Sequence, residues 1–304
     1  MFIEEYLQEL RAARFTPRAI VRYVRRLAAH VRDDLVSQPS AVRSVWSVAL
    51  AFIVAAFLGA AALALGHDRR LAYDFFVHSV AGILVTFALV TLSIGLLRDR
   101  QGYRLSSINV PTVLTLLRIA LLPGIVLMLT ERRFDFALWM YVAAAATDVL
   151  DGWSARRWSQ ITRLGTVLDP IVDIVFNLSL AGGLMAAGLL PAWVFVLAAL
   201  RYALLLVGGA ALYVFVGPVR IAPTHLGRLS GVVMTMLVGL LVLLQAFNGD
   251  LAARLAPLTE IALGVLFALT FAQAVGMGWF NLKTMRGEAQ ARGRVVGDVR
   301  WGAS

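Results

Sequence analysis

Residues 145–173 read AATDVLDGWSARRWSQITRLGTVLDPIVD. Four aspartates, Asp148, Asp151, Asp169 and Asp173, stand where two apolar runs, Phe134 to Ala155 and Val167 to Leu189, meet across a short polar connection. Each run is near the ~20 residues with which a helix crosses ~30 Å of hydrocarbon. Charge in such a run is costly, so a cluster of acids there marks a functional site by default.

At 100° per residue, with Asp148 at zero, Asp151 falls at about −60°, Gly152 at 40°, Ala155 at −20° and Arg156 at 80°, so all share one helix face. Asp169 and Asp173, four residues apart, project together from the next helix, and the connection returns the chain so that the two faces meet. Four carboxylates gathered in this way repel one another unless cations hold them. Oxygen donors without His or Cys favour Mg²⁺ or Mn²⁺ over zinc. Gly152 and Ala155 leave a trough beside the acids, and Arg156 offers a fork suited to phosphate. Together these features indicate a pyrophosphate-containing substrate. A purely structural role, helix capping, fits Asp169 ahead of Pro170, which accounts for one acid of the four.

The rest of the chain agrees with a membrane setting. Of 304 residues, 60% are hydrophobic and 15% charged, which is far more apolar than a soluble domain. The 28 Lys and Arg against 18 Asp and Glu give a net charge of +10, a bias that suits nucleic acid or anionic lipid. The apolar content selects lipid, with no nucleic-acid partner. Cysteine is absent, which removes disulfides, cysteine metal sites and thiol nucleophiles. No cleavable signal is expected, because about 45 mostly polar residues precede the first apolar run.

Eight runs have spanning length: Trp46 to Gly66, Phe75 to Leu97, Pro111 to Thr130, Phe134 to Ala155, Val167 to Leu189, Ala192 to Val216, Leu229 to Phe247 and Leu258 to Trp279. With the N-terminus inside, the inner segments hold 8, 3, 3, 2 and 5 Lys and Arg, 21 in all, and the outer loops hold 5, while Arg118 and Arg201 lie within spans. Retention of positive charge inside then predicts that both termini are cytoplasmic. The first 36 residues read as two amphipathic helices. Phe2, Ile3, Tyr6, Leu7 and Leu10 share a face of the first. Thr16-Pro17 starts the second, whose Ile20, Val21, Val24, Leu27, Val31 and Leu35 oppose Arg18, Arg22, Arg25 and Arg32. Such a helix suits an anionic membrane surface, or equally a solvated helix packed on the protein. In the first two spans, His78 and Ser93 read as packing residues.

The pattern D-x2-D-G-x2-A-R-x8-G-x3-D-x3-D, running from Asp148 through Gly165 to Asp173, resembles the signature of the CDP-alcohol phosphatidyltransferase family at every specified position. The likeness covers about residues 108–282 and includes Asn109, Thr112, Thr115 and Arg118 of a first core helix. It implies an all-α integral membrane protein with a six-helix core over 108–282. Outside that core lie basic amphipathic helices over 1–45, two extra transmembrane helices over 46–100 and a cytoplasmic tail over 283–304.

The resemblance further implies an enzyme that transfers a phosphatidyl group from CDP-diacylglycerol to a polar alcohol and releases CMP. Asp148, Asp151 and Asp169 would bind the Mg²⁺ or Mn²⁺ that holds the pyrophosphate, and Asp173 would be the general base, with metal also in its reach. Thr112, Gly152, Ala155, Arg156 and Gly165, together with Asp148, Asp151 and Asp169, would bind the CDP. A homodimer in a bacterial inner membrane is likewise implied.

For the acceptor, Arg118, Arg201, Arg220, His225 and Arg228 are the candidates, since basic groups grip a phosphorylated alcohol. The loop arginines are equally explained by retention of positive charge inside. The words at 114–123 and 168–173 look most like the phosphatidylglycerophosphate synthase branch, which makes glycerol 3-phosphate the leading acceptor. Ile174 and Tyr202 stand where that branch commonly has Lys and Glu, so inositol phosphate, inositol and other alcohols stay open. A membrane cation transporter and an inactive scaffold are the competing classes. The first would place its charges near mid-membrane, and the second need not keep four aspartates.

Overall fold

The computed structural model describes the backbone of residues 2–66, 68–158, 160–215 and 225–300, and side chains within 6–66, 68–158, 160–211, 214 and 231–280. Over those residues the chain is helical. The helices are α1 (Phe2–Ala12), α2 (Pro17–Ser37), α3 (Pro39–Gly66), α4 (Arg69–Leu92), α5 (Val110–Thr130), α6 (Phe134–Arg157), α7 (Arg163–Ala186), α8 (Ala192–Ala203), α9 (Gly209–Phe215), α10 (His225–Phe247) and α11 (Gly249–Arg300). Among the described residues, six helices are long and apolar enough to cross a membrane: α3, α4, α5, α7, the Ala192–Ala211 segment and the Gly249–Phe280 part of α11. The two other expected spans are helices as well. Charges at both ends of α6 dilute its apolar run, and the apolar part of α10 described is Gly231–Phe247.

The chain divides into two compact units, the first comprising residues 1–191 and 238–256 and the second 192–237 and 257–304. In the first, α5 is the central helix, packed against α4, α6 and α7. Its apolar window is 61% buried, against 22–33% for α3, α4 and α7. Close approach depends on missing side chains. A Cβ on Gly82 of α4 would stand 2.6 Å from the Pro123 ring of α5, and one on Gly124 would stand 2.5 Å from Met140 of α6 and 2.6 Å from Phe75 of α4. Small residues at such crossings let helices pack where lipid offers no hydrophobic drive. A core of Val45, Ala49, Ile83, Phe87, Ile94 and Leu116 joins α3, α4 and α5. His78 Nδ1 bonds to the Asp74 carbonyl at 2.7 Å, and the Ser93 hydroxyl donates to the Leu89 carbonyl at 3.0 Å. Both are satisfied within their own helix.

Between α4 and α5 the chain turns through a 3₁₀ segment, Ile94–Leu96, and a small hairpin in which Arg98 bridges Arg104 and Gly102 takes φ +93°. This hairpin links two distant parts of the unit. On one side Asp34, in the last turn of α2 and 5% exposed, receives Arg104 Nη2 at 2.8 Å and lies 3.4 Å from His30 Nε2. A Cβ at Gly95 would sit 2.0 Å from the Asp34 carboxylate, so only glycine admits α2 here. On the other side the Arg98 carbonyl accepts the Arg163 N–H at 3.0 Å, at the first turn of α7.

The second unit contains α8, a π-helical turn over Leu204–Gly208, α9, the first part of α10 and α11 from Pro257 onward. Trp193 of α8 lies where a side chain on Gly264 of α11 would stand, 2.3 Å from the indole. Tyr202 donates to the Met234 sulfur at 3.7 Å.

Candidate active site

Three helices of the first unit build the site. α6 carries Asp148 and Asp151 one turn apart, and α7 carries Asp169 and Asp173 one turn apart. α5 runs between them with Thr112, Thr115 and Arg118 recurring every third residue. That spacing keeps the three polar groups within one face. The Thr115 hydroxyl lies 3.1 Å from Asp151 Oδ2 and 3.3 Å from Asp169 Oδ1, so one carboxylate from each acidic helix reaches the same atom. Arg118 then joins the rest. Its Nη1 donates to Asp173 at 2.6 Å, and its Nη2 donates to Asp151 at 2.9 Å and to Asp148.

The four aspartates therefore meet as the spacing requires, with a cation already among them. Arg118 is 6% exposed at its side chain and Asp151 14%, whereas Asp148 and Asp173 are 57% and 56% exposed. Asp151 and the guanidinium form the buried floor, and Asp148 and Asp173 stand at an open rim. Among the described residues no three His, Cys, Asp or Glu form a ready metal cage. Arg118 lies between three of the four acids, at the place where such a cage would close. The donor set nevertheless fits a hard divalent ion in its chemistry: four carboxylates against one arginine leave three uncompensated negative charges on oxygen donors.

Beside the acids opens a cleft of about 210 Å³. Its lining contains seven of the eight expected CDP-binding residues, namely Thr112, Asp151, Gly152, Ala155, Arg156, Gly165 and Asp169; the eighth, Asp148, is not among them and pairs with Arg118. Side chains close in on both glycines. Arg156 folds back over Gly152, its Nη1 3.3 Å from where a Cβ would be, and a Cβ on Gly165 would point at the hydroxyls of Thr162 and Thr112, 3.2 and 3.8 Å away.

Asp169 is not a helix cap. α7 begins at Arg163, with the Thr162 hydroxyl accepting the Gly165 N–H at 3.0 Å, so Asp169 lies in the second turn and Pro170 inside the helix. The capping explanation fails because a better cap, Thr162, stands seven residues earlier. Gln160 and Thr162 carry no expectation from the sequence, and Asn109 and Thr115 figure there only in the likeness of the first core helix, without a role in the site. Asn109 donates through Nδ2 to the Gln160 carbonyl and accepts from the Thr112 hydroxyl, which ties the start of α5 to the α6–α7 connection. The available signal was the recurrence of polar residues at 112, 115 and 118 inside an apolar run.

Of the residues expected at the acceptor, Arg118 has both terminal nitrogens engaged by the aspartates, and its buried Nε has no partner. Arg201 belongs to the second unit, where its guanidinium lies 5.0 Å from the centre of the Tyr202 ring. Arg220, His225 and Arg228 lie outside the described side chains.

Comparison with known proteins identifies the family. The chain matches the CDP-alcohol phosphatidyltransferase family over residues 108–275, more than half its length, and it belongs to that family. It is similar to the CDP-diacylglycerol–glycerol-3-phosphate 3-phosphatidyltransferases of Escherichia coli (strain K12), Shigella flexneri serotype 5b and Shigella sonnei. Each is 48% identical over 71 residues, 22% of this chain and 38% of the relative. The match thus spans little more than a third of those relatives. No solved structure matches the chain.

Proposed function

We propose that this chain transfers a phosphatidyl group from CDP-diacylglycerol to the hydroxyl of a polar alcohol and releases CMP, with glycerol 3-phosphate the leading acceptor. One observation carries the reading: two acidic helices converge on α5 at Thr115 and Arg118, beside a cleft whose walls are the small and basic residues of the family pattern. The similarity to glycerol-3-phosphate phosphatidyltransferases supports this acceptor.

The residues divide the work by position. Gly152, Ala155 and Gly165 leave room for the cytidine, and Arg156 grips a phosphate. Asp148, Asp151 and Asp169 would hold Mg²⁺ or Mn²⁺, which when bound neutralises charge on the pyrophosphate. Asp173, at the open rim, takes the proton from the acceptor hydroxyl. The hydroxyl oxygen bonds to the phosphatidyl phosphorus, the bond from that phosphorus to the CMP oxygen breaks, and CMP leaves with the electron pair. Arg201, Arg220, His225 and Arg228 are proposed to grip a phosphorylated acceptor. The protein would be a multi-pass homodimer of a bacterial inner membrane with both termini cytoplasmic.

Purified protein in lipid, given CDP-diacylglycerol, Mg²⁺ or Mn²⁺ and a panel of alcohols, is expected to release CMP with one of them, with the lipid product identified by mass spectrometry. Asp173→Asn should abolish turnover; undiminished CMP release would remove Asp173 as the base. No turnover with any acceptor would favour a scaffold or transporter.

A further inference from the structure

The N-terminal helices present a surface that the proposed chemistry does not use. From Arg11 to Arg32 stand seven arginines, at 11, 14, 18, 22, 25, 26 and 32, and no acid. α1 lies along one side of α2, where Tyr6, Glu9, Leu10 and Ala13 meet Ala19, Arg22, Tyr23 and Arg26. Arg26 pairs there with Glu9 at 2.7 Å, and its guanidinium lies 5.5 Å from the centre of the Tyr6 ring. With Ile20 at zero, the α2 members of this contact fall between about −60° and −160° around the helix.

The other side of α2 is bare. Ile20, Val24 and Val21, at about 0°, 40° and 100°, are 43%, 56% and 63% exposed. Arg32, Arg25 and Arg18 border this strip at about 120°, 140° and 160° and are exposed. An apolar strip edged by arginines fits a layer that is apolar beneath and anionic at its surface.

Position names the same occupant. α2 ends at Ser37, and α3, a helix able to cross the membrane, begins at Pro39. Asp34 fixes the last turn of α2 against Gly95 and Arg104, just beyond the end of α4. The C-terminal end of α2 is thus anchored at the ends of two spanning helices, where lipid headgroups lie, and the bare strip begins at Val24, 13 residues back along α2 from Ser37 or ~20 Å at 1.5 Å per residue.

We propose that α2 is an interfacial arm that docks on anionic phospholipid: Ile20, Val21 and Val24 enter the headgroup layer of the leaflet at which α3 begins, and Arg18, Arg25 and Arg32 bind its phosphates. The arm therefore reads the charge of the membrane in which the protein sits. Each arginine near an anionic surface strengthens docking by roughly fivefold, and three together by on the order of a hundredfold.

The absence of cysteine allows a clean test. Val24→Cys in the full chain is labelled with an environment-sensitive dye and reconstituted into vesicles of phosphatidylcholine alone or with phosphatidylglycerol. The dye is expected to shift to the blue and to resist iodide quenching in the anionic vesicles only. Added salt should reverse the shift, and the combined Arg18→Gln, Arg25→Gln and Arg32→Gln changes should abolish it. These three side chains are exposed, so unchanged thermal unfolding would show that the fold is intact; the salt titration, run with all three arginines in place, probes the same contact without any change to them. Equal quenching in both vesicles would overturn the proposal in favour of a solvated helix. Protection that grows with protein density, whatever the lipid charge, would overturn it in favour of a second copy. Protection in detergent at every dilution would assign the face to the chain's own packing.

Discussion

Arg118→Met removes the cation at the floor of the site while keeping an unbranched chain of similar length. Breaking a buried ion pair by deleting one partner costs about 3–5 kcal/mol. Only Asp151, 14% exposed, qualifies as buried; Asp148 and Asp173 are more than half exposed, and water screens each to below about 1 kcal/mol. Thr115 still reaches Asp151 at 3.1 Å, which places the expected loss near 3 kcal/mol, the lower end of the range for a buried pair. At about 2–4 °C per kcal/mol, the melting midpoint should fall by roughly 6–12 °C. Tryptophan fluorescence during heating of purified protein reads this directly, since the chain has seven tryptophans. A second arm uses metal without activity. Four carboxylates without a guanidinium attract a divalent ion more strongly than four of which three already share one, so Mg²⁺ or Mn²⁺ should raise the midpoint of Arg118→Met more than that of the unaltered protein. Arg118→Lys should fall between the two, because a point charge cannot serve three carboxylates as a planar fork does. A metal-free midpoint equal to that of the unaltered protein would refute the reasoning, and so would metal shifts of the same size in both proteins.

Gly95→Ala should loosen the N-terminal helices, because its Cβ would fall 2.0 Å from the Asp34 carboxylate; overpacking of this kind costs about 1–3 kcal/mol, and limited proteolysis should cut between α2 and α3 faster. Thr162→Ala removes the cap of α7 and should cost about 1 kcal/mol, seen as a lower melting midpoint. Gly152→Val puts branched carbon where Arg156 folds over the cleft, and CDP affinity measured by calorimetry should drop by about tenfold, the equivalent of ~1.4 kcal/mol of steric conflict. An unchanged affinity would show that the nucleotide does not use this wall.

What can be read from the chain is local, and what cannot is long-range. The acids at 148, 151, 169 and 173 and the small residues between them declare a shared face through helical spacing alone, and of these the cleft is lined by Asp151, Asp169, Gly152, Ala155 and Gly165. Pro170 resembles a first-turn proline and so suggests too late a start for α7, although a proline in an early turn disturbs few hydrogen bonds and Thr162 caps the helix ahead of it. The apolar run puts the start of α3 at Trp46, not Pro39, because Ser40, Arg43 and Ser44 mask a helix that is continuous with that run. Asp34 and Arg104 are 70 residues apart, and nothing in either neighbourhood announces the other. Arg118 is the clearest case. An arginine in an apolar run declares that it needs an anion, but its partners lie 30, 33 and 55 residues away. They become neighbours only because α5 runs between α6 and α7, and α5 can run there because Gly82 and Gly124 let it close on α4 and α6. The identity of the group among the acids is thus decided by helix crossings that depend on glycines well away from the chemistry. A side chain added at Gly124 would therefore be felt at Asp151.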